Sequence, residues 1–175
     1  MGTPLSSIGV RIGYLKETVA PTPDTEYPDT GFTHIPDLKS TPDFSSAPNT
    51  ADASTFDNLE YTTYVELLKD LGGALQFTAN LTDAFKSMWE DCVDDASTIG
   101  CWFCIDIPGI DDSVVFFGMP SPIGMPALTA NSLMEATVSV TPYLEPKWIE
   151  TSEGAVADPV SNSSPSQGSG TGTGT

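Results

Sequence analysis

Between Ala74 and Ile107 the sequence predicts a strand, a helix cap, an amphipathic helix and a second strand in direct succession. Ala74–Leu81 (ALQFTANL) alternates, with Leu75, Phe77, Ala79 and Leu81 on one face and Gln76, Thr78 and Asn80 on the other. That period of two belongs to a half-buried strand, and Gly72-Gly73 before it supplies a turn or bulge. Thr82 is placed to cap a helix, with Asp83 in its first turn at the positive end of the helix dipole. Phe85, Met88, Trp89, Cys92 and Val93 then recur at helical spacing and form one apolar stripe, while Glu90, Asp91, Asp94 and Asp95 solvate the opposite face. Gly100 closes the segment, and Cys101–Ile107 (CWFCIDI) opens the next strand. No other long helix is predicted. Without alternation of strands and helices, a Rossmann-type or thioredoxin-type parallel sheet is disfavoured.

The rest of the chain reads as strands and turns. In Gly9–Leu15, Val10, Ile12 and Tyr14 face one way; Val19–Gly31 is turn-rich loop. Phe32–Lys39 predicts a strand that Pro36 confines to an edge or a bulge. A polar stretch, Ser45–Asn58, marks a long loop at about residues 45–60, and loops of that length are functional, disordered or pinned by a partner. Two further strands follow, Ser113–Gly118 and roughly Thr129–Tyr143. In the latter Met134, Ala136, Val138 and Val140 oppose Leu133, Glu135, Thr137 and Ser139. Beyond Trp148 the character changes, and SNSSPSQGSGTGTGT (Ser161–Thr175) is too polar to offset its ordering entropy. The expectation is a mainly antiparallel β domain over 1–150, of five to seven strands with one flanking helix, followed by a flexible tail over 151–175.

At 24 acidic against 6 basic residues the formal charge is −18, which disfavours direct attraction to nucleic acid or to anionic membrane. No apolar run is long enough to span a bilayer, and Met1–Lys16 lacks the cationic and apolar pattern of a signal peptide. Three cysteines do not make a disulfide framework and point to reducing conditions. The CxxC at Cys101–Cys104 follows the helix instead of opening one, so no helix dipole lowers a thiol pKa. On a strand, positions three apart face opposite ways, so Cys101 joins Phe103 while Cys104 joins Trp102. Zinc would need two more ligands, and only Cys92 and the single histidine, His34, are of the right kind. His34 has no nucleophile in a recognisable context. The pairs Asp94-Asp95 and Asp111-Asp112 lack the calcium-loop pattern, and Lys69-Asp70 before Gly72-Gly73 is not a phosphate loop. The expectation is therefore no catalytic residue, no metal and no cofactor.

Four separated stretches, in order, carry a resemblance: TPLSSIGVRIGYLKET (Thr3–Thr18), TGFTHIPDLKSTPDF (Thr30–Phe44), YTTYVELLKDLGGALQFTANLT (Tyr61–Thr82) and PSPIGMPALTANSLMEATVSVTPYLEPKW (Pro120–Trp148). Together they resemble the major tail proteins, or tail tube subunits, of long-tailed phages of Gram-positive bacteria. The resemblance implies a β-sandwich or barrel with a flanking helix, six copies per ring, and stacked rings forming a conduit for DNA. It also implies assembly in the host cytoplasm around a tape-measure protein, with tail terminator and distal tail proteins as further partners. Many members carry a C-terminal immunoglobulin-like domain, for which the residues after Trp148 are too few.

A wet lumen would suit the polar rows Gln76, Thr78, Asn80 and Glu135, Thr137, Ser139, and few cations would let DNA pass without being held. Lys39, Asp43, Phe44, Tyr61, Tyr64, Lys69 and Asp70 flank the long loop and are the expected contacts between subunits or rings. The alternative reading is a non-enzymatic capsid-decoration or cell-surface binding module, which would present an exposed aromatic cluster. A third is a small hydrolase whose carboxylate pair meets only in space, for which a concave pocket with two converging acids would be the sign.

Overall fold

The computed structural model describes residues 8–44, 50–52, 64–66, 73–127, 129–152 and 154–159. In chain order its elements are β1 (Arg11–Lys16), β2 (Phe32–His34), β3 (Leu38–Ser40), β4 (Thr50–Asp52), β5 (Tyr64–Glu66), β6 (Leu75–Asn80), α1 (Asp83–Ala96), β7 (Cys101–Asp106), β8 (Asp112–Pro120), β9 (Glu135–Pro142), β10 (Lys147–Glu150) and β11 (Val156–Ala157). The fold is mainly β with one helix among the described residues, as expected. The eleven strands among the described residues exceed the five to seven read from the sequence. The surplus comes from pieces of two to four residues, which are too short to show a period.

Nine strands form one sheet in the order β11-β2-β1-β7-β8-β9-β6-β3, with β10 added beside β8. Every pairing in it is antiparallel except that of β11 with β2. The sheet curls into a half-barrel. Its curvature is enforced by connectivity, because β2 and β3 pair at opposite ends of the strand order yet only Ile35–Asp37 separates them. The four steps from His34 to Leu38 reach about 14 Å at most, so the β1 and β6 ends must approach each other. Backbone bonds mark the crossing: Ile35 N donates to Ile12 O at 2.8 Å, and Asn80 N donates to Asp37 O at 3.0 Å. The strand expected over Phe32–Lys39 is thus split. Pro36 can donate no ladder bond, and Asp37 turns the chain at φ 61°.

Helix α1 begins where the sequence places it. Thr82 Oγ1 accepts from Phe85 N at 3.1 Å, and the Thr82 hydroxyl donates to Asp37 at the β2–β3 crossing. Phe85, Trp89, Cys92 and Ala96 are buried, with Met88 and Val93 packed at the margin. They cover Ile12, Tyr14, Phe77, Phe103, Phe116 and Val138 on the concave face of the sheet. Trp89 Nε1 donates to Ser121 O at 2.8 Å, which satisfies the one polar atom that this ring brings into the core.

A second core lies on the other face of β7 and β8, built from Phe32, Trp102, Cys104, Val115, Phe117, Ala155 and Val156. Burial on both faces explains why CWFCI and VVFF are continuous apolar runs without alternation. The last long strand begins at Glu135, not near Thr129, and Thr129–Met134 is connection. The fold also continues past residue 150, where the tail was expected to begin: Ala155 and Val156 are 1% exposed. Residue 153 and residues 160–175 of that expected tail lie outside the described residues.

Candidate assembly interface

The two polar rows read from the sequence meet in register. Strand β6 pairs with β9 so that Gln76 lies opposite Ser139, Thr78 opposite Thr137 and Asn80 opposite Glu135. Their apolar partners, Leu75, Phe77, Ala79, Ala136, Val138 and Val140, are buried beneath them. The result is a strip of hydroxyls, amides and the one carboxylate of Glu135 on the face away from the helix. Gln76, Glu135 and Thr137 are exposed, and Thr78, Asn80 and Ser139 are half-buried. Ser121 extends the strip: its Oγ lies 3.0 Å from Ser139 Oγ, and its N donates to Ser139 O at 2.8 Å. Asn80 Oδ1 is a buried acceptor with no hydrogen-bond partner among the described residues.

Lys39, on the neighbouring β3, forms an ion pair with Glu135 and so belongs to the same strip. With its ammonium paired, the strip offers little to a phosphate, whose capture depends on Lys and Arg.

The residues expected at the contacts beside the long loop divide four ways. Lys39 and Asp43 are exposed. Phe44 turns inward and packs against Phe116 with ring centroids 5.5 Å apart and the rings tilted at 53°, so it serves the subunit's own core. Tyr64 opens β5, which pairs with β4 as a separate two-stranded ribbon in which Asp52 lies opposite Tyr64. Strand β4 therefore interrupts the loop expected at about residues 45–60. Tyr61, Lys69 and Asp70 lie outside the described residues.

The structure adds an exposed apolar group that the sequence reading missed. In the connection from β8 to β9, Met125 is 84% exposed and Leu133 80%, with Met134 half-exposed beside it. The sequence places Leu133 and Met134 on a strand, and their exposure follows from the later start of β9. On β10, Trp148 is also exposed.

Among the described residues, the cysteines, Tyr14, Asp95 and His34 all have packing or pairing partners. Cys101 and Cys104 point to opposite faces of β7, one into each core, and Cys101 Sγ approaches Cys92 O at 3.7 Å. Burial raises the Cys92 thiol pKa and pushes that of Cys104 up to about 12, so neither holds a thiolate near neutrality. Among the described residues no three His, Cys, Asp or Glu side chains are grouped as metal ligands. Asp95, read as solvated, pairs with Lys16 at 2.6 Å and accepts from Tyr14 OH at 3.4 Å. Burial, then the nearby negative groups, raises the Tyr14 pKa. His34 and Arg11 both meet Asp158 Oδ1, at 2.9 and 2.6 Å. The hydrogen bond from His34, then the Arg11 charge, holds that carboxyl below its ordinary range.

No protein-family model matches the chain, and no curated protein matches it. Among solved structures, it is similar to a chain in the cryo-EM structure of the anti-feeding prophage baseplate, 6-fold symmetrised, with a TM-score of 0.62. The likeness covers 86% of this chain and 98% of that chain at 12% sequence identity, so what the two share is the fold.

Proposed function

We propose that this protein is a structural subunit of a phage-type tail, and more specifically a major tail protein whose copies form stacked, six-membered rings around a DNA conduit. The observation that carries this reading is the likeness across nearly the whole of a chain from a prophage baseplate structure, 6-fold symmetrised. It agrees with the resemblance of four ordered stretches to major tail proteins of long-tailed phages of Gram-positive bacteria. In this reading the strip of Gln76, Thr78, Asn80, Glu135, Thr137 and Ser139 faces the lumen, where neutral groups and one paired cation let a polyanion slide. The β4–β5 ribbon and the exposed Met125–Leu133–Met134 connection meet neighbouring copies. Other partners are the tape-measure, terminator and distal tail proteins of the same particle, and assembly takes place in the host cytoplasm. The chain performs no catalysis and needs no cofactor.

Electron microscopy of the purified full-length protein over a range of concentration and salt tests the proposal. Rings or tubes with a central channel are expected. Monomers under every condition, together with absence of the chain from tail tubes of intact particles, would falsify it.

A further inference from the structure

The C-terminal strand β11 is seated in a site shaped for it. On β1, a Cβ added to Gly13 would stand 2.9 Å from Val156 Cγ1, 2.9 Å from Phe32 Cβ and 3.0 Å from Thr33 O, so the missing side chain leaves room both for β2 and for Val156. Phe32 N donates to Ala155 O at 2.9 Å, and β11 runs parallel to β2 with Val156 opposite Phe32 and Ala157 opposite Thr33. Next in sequence, Asp158 Oδ1 meets Arg11 Nη2 at 2.6 Å and His34 Nδ1 at 2.9 Å. The chain contains one arginine and one histidine, and both converge on this one carboxylate. A notch, a strand edge and a cationic end thus recognise the pattern Ala-Val-Ala-Asp.

Apart from the buried Ala155 and Val156 side chains, the attachment is light. The ladder is two residues long, and the Asp158 side chain is 73% exposed, so its ion pair is screened and worth little. A short edge strand held this way can leave, and the vacated β2 edge then presents unpaired backbone groups to any matching strand.

We propose that the Gly13 notch, the β2 edge and the Arg11–His34 pair form a strand-docking site, filled in cis by Ala155–Asp158 and open in trans to the same segment of a second copy. The segment acts as a removable cap on the β2 edge, and exchange of caps links one copy to the next. This deepens the self-assembly reading by naming one surface that copies share, but docking itself is measurable on isolated chains.

The test uses full-length protein with Val156→Asp, which removes the knob and leaves the site intact. A fluorescein-labelled peptide of residues 153–160 (EGAVADPV) is titrated, and binding is read by anisotropy. Saturable binding is expected, at least about tenfold tighter than to the unaltered chain, whose own segment competes. Adding Gly13→Val should weaken it about tenfold or more by filling the notch, and Arg11→Ala by about two- to fivefold. If Val156→Asp does not fold, the same titration is read on Asp158→Ala, which touches only the exposed clasp and should also bind better than the unaltered chain. Mixing Val156→Asp chains with Gly13→Val chains, which keep a free donor, should give a one-to-one complex in sedimentation velocity. Folded Val156→Asp or Asp158→Ala protein that does not bind the peptide, or binding indifferent to Gly13→Val, overturns the docking site. Peptide binding without any mixed complex overturns the exchange between copies. Neither result depends on whether rings or tubes form.

Discussion

Cys101 and Cys104 stand three positions apart, a spacing that in other settings makes a redox pair, yet the strand sends one thiol into each core. The alternation was legible from the sequence, because period two follows from strand geometry alone. Replacing both cysteines with alanine should therefore act as two small core truncations. A loss of about 1–3 kcal/mol in urea unfolding is expected, with assembly retained; loss of assembly in a stable variant would assign these thiols another role. Glu17 offers a sharper residue-level test. Trp102 Nε1 donates to its carboxylate at 3.0 Å, and this bond, with that from Thr18 N, lowers its pKa from the ordinary 4.5. A carboxyl depressed in the folded state contributes stability that is whole above its unfolded pKa and lost as pH falls through the lower folded value. Glu17→Gln should accordingly reduce stability near pH 7 and flatten the decline in Tm below about pH 4.5. An unchanged acid limb would show that the bond does not form in solution.

At the scale of elements, the helix and the long strands were readable, whereas the short strands were not. Phe85, Trp89 and Cys92 repeat often enough to define a face, as do the alternating residues of β6 and β9. Strands β2, β3 and β11 have two or three residues each and exist because longer neighbours template them. The β4–β5 ribbon forms a sheet of its own, outside the nine-stranded one. Deleting residues 45–58 removes β4 but no strand of the main sheet. Such a variant is expected to unfold cooperatively within a few degrees of the parent Tm and to form no rings or tubes. Normal tubes from it would remove the ribbon from the assembly contacts.

For the whole molecule, charge dominates the expectation for assembly. Each copy carries a formal −18, so bringing copies together raises like-charge repulsion that salt relieves. Raising ionic strength from about 0.01 M to about 0.15 M shortens the screening length from about 30 to about 8 Å. Light scattering should then show association at lower protein concentration, and association that weakens with added salt would point instead to contacts dominated by opposite charges. Acidity, helix α1 and its buried face, the polar rows Gln76–Thr78–Asn80 and Glu135–Thr137–Ser139, and the split of the CxxC between two faces were all determined by the sequence. Each depends on composition or on the local period of one element. Tertiary structure alone decided that those two rows meet residue for residue, that Lys39 joins them through Glu135, and that Phe44 packs inward. It also decided that a segment written like a tail returns to fill the space over Gly13. Those outcomes depend on register and on contacts across the chain, such as the 147 positions between Arg11 and Asp158, which no local pattern encodes.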